Sequence, residues 1–196
     1  LGAISSDSKI ELEAYESNGG GAGDGSIQFN ASTSSVSAPT LLATAFRDIR
    51  VDVDLQSSAI NGLVQLTAGS GVSKYGASDS SGSIYVGNNA SVGAANTGGA
   101  LILKAGLNNG DLDLLGGSVS AHSSISVQAQ AGAIKMDSES QLETKNLEAI
   151  AGSNTLLRTN VDTITNAKVF AGGATSGKDL SIVEFDSLTL NKAITE

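Results

Sequence analysis

The chain has 196 residues, 20 Asp and Glu against 11 Lys and Arg for a formal net charge of −9, and 40% apolar residues with no cysteine and no tryptophan. The negative balance argues against a nucleic-acid partner, whose phosphates need clustered Lys and Arg, and the missing cysteines exclude disulfides and thiolate metal sites. No run reaches the roughly 20 apolar residues that span a bilayer, and with few aromatics Ile, Leu, Val and Ala must fill the core, which suits a narrow, regular interior.

In chain order, one short alternation recurs: an apolar residue, any residue, a second apolar residue, any residue, then a small one. The N-terminal LGAISSDSKIELE has neither the basic start nor the apolar centre of a signal peptide, so the chain reads as mature or excised. The first copy is Ile10, Leu12 and Ala14. The glycine-rich NGGGAGDGSIQF (18–29) comes next. With Asp24 in the aspartate slot of a calcium-binding nonapeptide, Ala22 and Ser26 fill places reserved for glycine and an apolar residue, so the stretch reads as a turn between coils. Ile27, Phe29 and Ala31 form the second copy. Residues 32–48 then interrupt the pattern: Leu41, Leu42, Ala45, Phe46 and Ile49 share a face at helical spacing, which predicts an irregular or short helical insertion. Later copies are Val64, Leu66, Ala68; Ile84, Val86, Asn88; Leu101, Leu103, Ala105; Leu112, Leu114, Gly116; Ile125, Val127, Ala129; and Ile134, Met136, Ser138.

A period of two places these residues on one face of short strands, and the Gly, Ser, Asn and Asp that follow each copy mark turns. Outside the interruption, neighbouring copies start 9 to 20 residues apart. Intervals near 20 suit one coil of a solenoid, and the shorter ones suit two faces of the same coil. The competing architecture is a sandwich or barrel with hairpins at Asn18-Gly19, Asp24-Gly25, Asn61-Gly62 and Asn109-Gly110. The narrow set of inward residues favours an all-β, right-handed parallel β-helix, a β-solenoid of about ten coils and about 45 to 50 Å in length. Residues 1–196 read as a single segment, a fragment of a much longer repeat protein.

Candidate chemistry is sparse. Asp52 with Asp54 in VDVDL and Asp111 with Asp113 in DLDLL are outward acidic pairs, and together with Asp24 they are the weak calcium candidates. The pairs lie 59 residues apart, about three coils at 20 residues per coil and too far to converge. Arg47 and Arg50 beside the first pair complete the best enzyme-like cluster, although local ion pairing on a solvated face is the preferred account of it. Tyr85, outward between Ile84 and Val86, is the candidate for stacking on a sugar ring. GGATSGKD (172–179) matches a phosphate loop through Gly172, Gly177 and Lys178, but Asp179 replaces the magnesium-binding hydroxyl and the alternating DLSIVEF that follows predicts a strand, not a helix. His122 is the only histidine, without the partners of a zinc site or a serine triad. No cofactor or catalytic residue is assigned.

The repeats GLVQLTAG (62–69), GSIYVGNN (82–89), GALILKAG (99–106) and SSISVQAQAGAI (123–134) resemble the repeat region of filamentous-haemagglutinin-like exoproteins, large adhesins exported by two-partner secretion in Gram-negative bacteria. NLEAIAGSNTLLRTNV and KDLSIVEFDSLTLNKAI share this texture. The family's secretion domain carries Asn-Pro motifs, which this sequence lacks, so the resemblance implies a piece of shaft or a distal region. It implies a secreted or surface-displayed rod, exported through an outer-membrane transporter, that acts as a scaffold or adhesive shaft in cell attachment or biofilm formation. Host or bacterial surface glycans or proteins are the implied partners. A carbohydrate-active β-helix enzyme, lyase or hydrolase, is the alternative, and a fibre subunit self-associating end to end is the third reading.

Overall fold

The computed structural model describes residues 9–15, 25–30, 35–69, 81–87, 89–106, 108–169 and 178–195. Among these residues there is no helix; the elements are strands, and every pairing between them is parallel. The chain returns again and again to three stacks, giving a solenoid-like rod. We call each return a level.

The first stack holds β1 (Lys9–Ala14), β4 (Thr40–Ala45), β7 (Leu63–Thr67), β10 (Ala100–Lys104) and β13 (Ser124–Ala129). It continues through the second halves of β15 (Gln141–Ala151) and β16 (Thr155–Val169) to β18 (Thr189–Leu190) and β19 (Ala193–Thr195). The second holds β2 (Ile27–Phe29), β5 (Ile49–Val51), β8 (Ile84–Val86), β11 (Leu112–Leu114) and β14 (Ile134–Met136), while β17 (Leu180–Glu184) pairs with the start of β16. The third holds β3 (Ser35–Ala38), β6 (Asp54–Ser57), β9 (Ser91–Ala94), β12 (Ser118–Ala121) and the first half of β15. The levels of the first stack that fall within the described residues are fewer than the ten expected.

Register turns the sequence alternation into a core. In the first stack Leu41, Val64, Leu101, Ile125 and Leu147 are successive partners, all buried. In the second, Ile49, Ile84, Leu112 and Ile134 form one buried column and Val51, Val86, Leu114 and Met136 another. Each such side chain contributes on the order of 1.5–3 kcal/mol by leaving water. The short sequence intervals thus correspond to two faces of one level, as the spacing implied.

Two expectations need correction. The stretch predicted as a helical insertion at 32–48 contributes two strands, β3 and β4, with residues 31–34 outside the described part. Its apolar residues satisfy both periods; Leu41, Ala43 and Ala45 go inward at a spacing of two because β1 and β7 flank the segment and take its backbone hydrogen bonds. Asn61-Gly62 does not make a hairpin either. Asn61, at φ 54°, turns the chain from the third stack into the first, and the strands on both sides join parallel ladders.

The third stack escaped the sequence pattern because each strand carries one large inward residue followed by a small one. Its trace is nonetheless visible as SVSA at 35–38, SVGA at 91–94 and SVSA at 118–121. Val92, Val119 and Leu142 stack in register with Leu55, all fully buried.

Backbone packs directly on backbone at one corner. A Cβ on Gly82 would stand 2.4 Å from both Arg47 O and Gly69 N, and one on Gly110 would stand 2.1 Å from Gly82 O. Gly82→Ala is therefore expected to cost about 1–3 kcal/mol through forced backbone shifts, and Leu66→Ala about 2–5 kcal/mol through an unfilled cavity in the column. Urea unfolding of each variant, read by far-UV circular dichroism, checks both values.

Candidate functional site

The candidate site is the outward surface of the second stack. Between the two inward positions of each three-residue strand stands one outward side chain, and register aligns these as a column: Gln28, Arg50, Tyr85, Asp113 and Lys135. Adjacent levels in a sheet lie about 4.8 Å apart, so Tyr85 has Arg50 on one side and Asp113 on the other. The two acidic pairs are closer than the sequence suggested. β5 and β11 are two levels apart, because the intervals from Arg50 to Tyr85 and from Tyr85 to Asp113 exceed 20 residues.

The acidic residues are engaged within the protein. Asp52 Oδ2 accepts from Arg50 Nε at 2.7 Å and from Gln28 Nε2 at 3.4 Å. Asp54 starts β6 around the corner, where its Oδ1 accepts from Ser91 N at 2.9 Å and Ser91 Oγ at 2.6 Å. The expected pair Asp52 and Asp54 is thus divided between two stacks. Asp111 Oδ2 accepts from Lys135 Nζ, and Asp113 Oδ1 lies 3.5 Å from the same ammonium. Arg47, on the turn before β5, is exposed.

Asp111 belongs to a device that the sequence reading missed. At the position just before β2, β5, β8 and β11, a side-chain oxygen accepts from the backbone N–H one level on. Ser26 Oγ takes Asp48 N at 3.3 Å, Asp48 Oδ1 takes Ser83 N at 2.7 Å, Ser83 Oγ takes Asp111 N at 3.1 Å, and Asp111 Oδ1 takes Ala133 N at 2.8 Å. Asn154 Oδ1 repeats the contact with Asp179 N at 3.1 Å. Each bond closes a corner N–H that the strand ladder leaves unpaired, and each net contribution is of order 0.5–1.5 kcal/mol. The recurring Ser or Asp before an apolar-x-apolar run, as in GSIQF, RDIRV, GSIYV and GDLDL, carries this signal.

The other expected residues are dispersed. Asp24 and the glycines at 18–23 lie outside the described residues, as do Gly172 and Gly177, while Asp179 joins the corner contacts and β17 follows it as the predicted strand. His122 turns the third stack into the first, its Nδ1 accepting from Gly98 N at 3.3 Å. Among the described residues no group of three or more His, Asp or Glu side chains could hold a metal ion.

Charge in the column responds to these contacts. The hydrogen bond from Arg50 holds the Asp52 carboxyl below the usual range, whereas burial pushes Asp113 up, with Lys135 opposing and Asp111 reinforcing that shift. Asp52 therefore adds stability above its unfolded-state value, and this is lost as pH falls through its folded value. For Asp113 the sign reverses: its charged form lowers stability at neutral pH, and the penalty is relieved as pH falls through its raised value. Asp113→Asn is expected to raise the melting temperature at pH 7, with the gain shrinking to nothing as the wild-type carboxyl takes up its proton. Thermal unfolding of both proteins from pH 7 to pH 3 measures this.

Comparison with family models, with curated proteins and with solved structures finds no match for this chain.

Proposed function

We propose that this chain is a segment of a secreted or surface-displayed adhesin of a Gram-negative bacterium, a right-handed parallel β-helix serving as a rod-like scaffold or adhesive shaft in cell attachment or biofilm formation. The observation that carries this reading is the outward column on the second stack, in which one polar side chain per level repeats along a continuous sheet with Tyr85 at its centre. Such a surface offers weak, evenly spaced contacts, and several engaging together gain avidity without any deep pocket. A tyrosine ring flanked by Arg50 and Asp113 suits a sugar: the ring covers a pyranose face while the charged neighbours bond its hydroxyls. The right hand of the rod follows from the strong preference for right-handed crossovers between parallel strands. Export through an outer-membrane transporter and the coil count of the intact rod belong to the same proposal, which rests on the repeat texture described above.

Surface plasmon resonance with host glycans and bacterial exopolysaccharides, with and without calcium, tests this reading, and chromatography of the same mixtures detects cleavage. Saturable binding without cleavage is expected, weakened about tenfold by Tyr85→Ala, as for loss of a stacking contact. Absence of binding to every member would contradict the adhesive role. Cleavage products abolished by Asp52→Ala or Asp54→Ala in a folded protein would instead establish the enzyme alternative.

A further inference from the structure

Hydrogen bonding between levels of the second stack follows one rule as far as β14 and breaks it there. The first residue of each strand donates to a backbone carbonyl one level on: Ile27 N to Asp48 O, Ile49 N to Ser83 O, Ile84 N to Asp111 O and Leu112 N to Ala133 O. The residue after each strand donates back to the level before, Asp52 N to Phe29 O, Gly87 N to Val51 O and Leu115 N to Val86 O. Beyond β14 side chains replace both backbone acceptors. Ile134 N donates to Thr155 Oγ1 at 3.3 Å, and Arg158 N, which follows the inward Leu157 as Leu115 follows Leu114, donates to Met136 Sδ at 3.3 Å.

The sheet splits at this point. Among the described residues no strand pairing joins β14 to β16, although β16 passes beside it, and a cleft of about 300 Å³ lined by Met136, Thr155 and Leu156 opens between them. The split is one-sided, since across the same step the first stack stays joined through β13 and β15 and the third through Leu142 and Thr159. Met136 is the only methionine of the chain, it stacks in register on Leu114, and its thioether is a weak acceptor in the place of a carbonyl. Arg158, on the other side, is tied to the last levels: it pairs with Val183 in β17, and its guanidinium lies 5.3 Å over the ring of Phe185. The sulfur is thus one of two side-chain contacts that hold the seam closed.

We propose that Met136 is an oxidation site, and that its conversion to the sulfoxide by a peroxide opens this seam. The sulfur lone pair attacks one oxygen of hydrogen peroxide; the O–O bond breaks, an S–O bond forms, the sulfur gives up two electrons, and the second oxygen leaves as water with both hydrogens. The cleft gives the reagent its way to a side chain that the column otherwise buries. The product carries a polar oxygen where an apolar atom packed, and that oxygen stands between Met136 and the Arg158 N–H, so β14 and β16 move apart while the other two stacks keep their ladders. The inference goes beyond the adhesive reading and does not depend on it, because the seam lies in the backbone pairing and not in the outward column.

Treatment of the full, folded chain with hydrogen peroxide, followed by mass spectrometry and by amide hydrogen exchange read by NMR, tests it. Before treatment the Arg158 amide is expected to exchange faster than its counterpart Leu115. After treatment the Met136 peptide should carry one added oxygen, and the Ile134 and Arg158 amides should exchange about tenfold faster still, with Ile84 and Leu115 unchanged. Met136→Leu should show no response to peroxide. An Arg158 amide as protected as that of Leu115 in the untreated protein would overturn the seam itself. The oxidation site would be overturned by a folded chain that stays unmodified where the urea-unfolded chain is fully oxidised, or by a sulfoxide that leaves exchange at the seam unchanged or slower. Acceleration spread evenly along the rod, or the same response in Met136→Leu, would overturn it as well.

Discussion

The rod depends on a single constraint: backbone groups in each level must find their partners in the level before or after. A narrow coil has no interior wide enough to satisfy them in any other way, and a buried unpaired N–H or C=O costs as much as a lost hydrogen bond. Along the strands parallel register meets this need. At the corners, where strands end, it is met by side chains such as Ser26, Asp48, Ser83 and Asp111, each reaching across to the next level. The inward columns of Ile, Leu and Val supply the driving force, and the corner contacts fix where each level starts.

This division of labour shapes the surface. A carboxylate that holds a backbone N–H, as Asp54 and Asp111 do, is no longer available to a ligand, so each acidic pair in DLDLL and VDVDL has one member committed to the fold. Asp137 shows the same use in a turn: its Oδ1 accepts from Glu139 N, Ser140 N and Ser140 Oγ, and the Ser140 contacts hold its carboxyl below the usual range. What remains for recognition is whatever the stack does not consume. On the second stack that is the column centred on Tyr85.

Much of the fold was legible from period two alone, because Leu101 and Leu103 or Ile84 and Val86 have no other way to share a face over so short a run. The third stack was not, since Val92 or Val119 followed by a small residue gives too few apolar positions to stand out. TLLATAFRDI misled for a different reason: its apolar residues fit both periods, and only neighbouring open strands decide between them. Of the candidate site, the outward position of Tyr85 was readable locally. Its neighbours Arg50 and Asp113 were not, because levels of unequal length hide which residues stand side by side.

The central claim is that sequence-distant residues are separated by levels and not by chain length. Because the chain has no cysteine, single pairs can be introduced for nitroxide labels on the outward column that links Glu11, Leu42, Gln65, Ile102, Ser126, Glu148 and Asn166. Electron–electron double resonance would be measured for the pairs Glu11 with Ser126 and Glu11 with Asn166. At about 4.8 Å per level, two sharp distributions differing by about 10 Å are predicted. Coincident distances, or broad ones unrelated to the number of levels, would contradict the stacked arrangement on which every other conclusion rests.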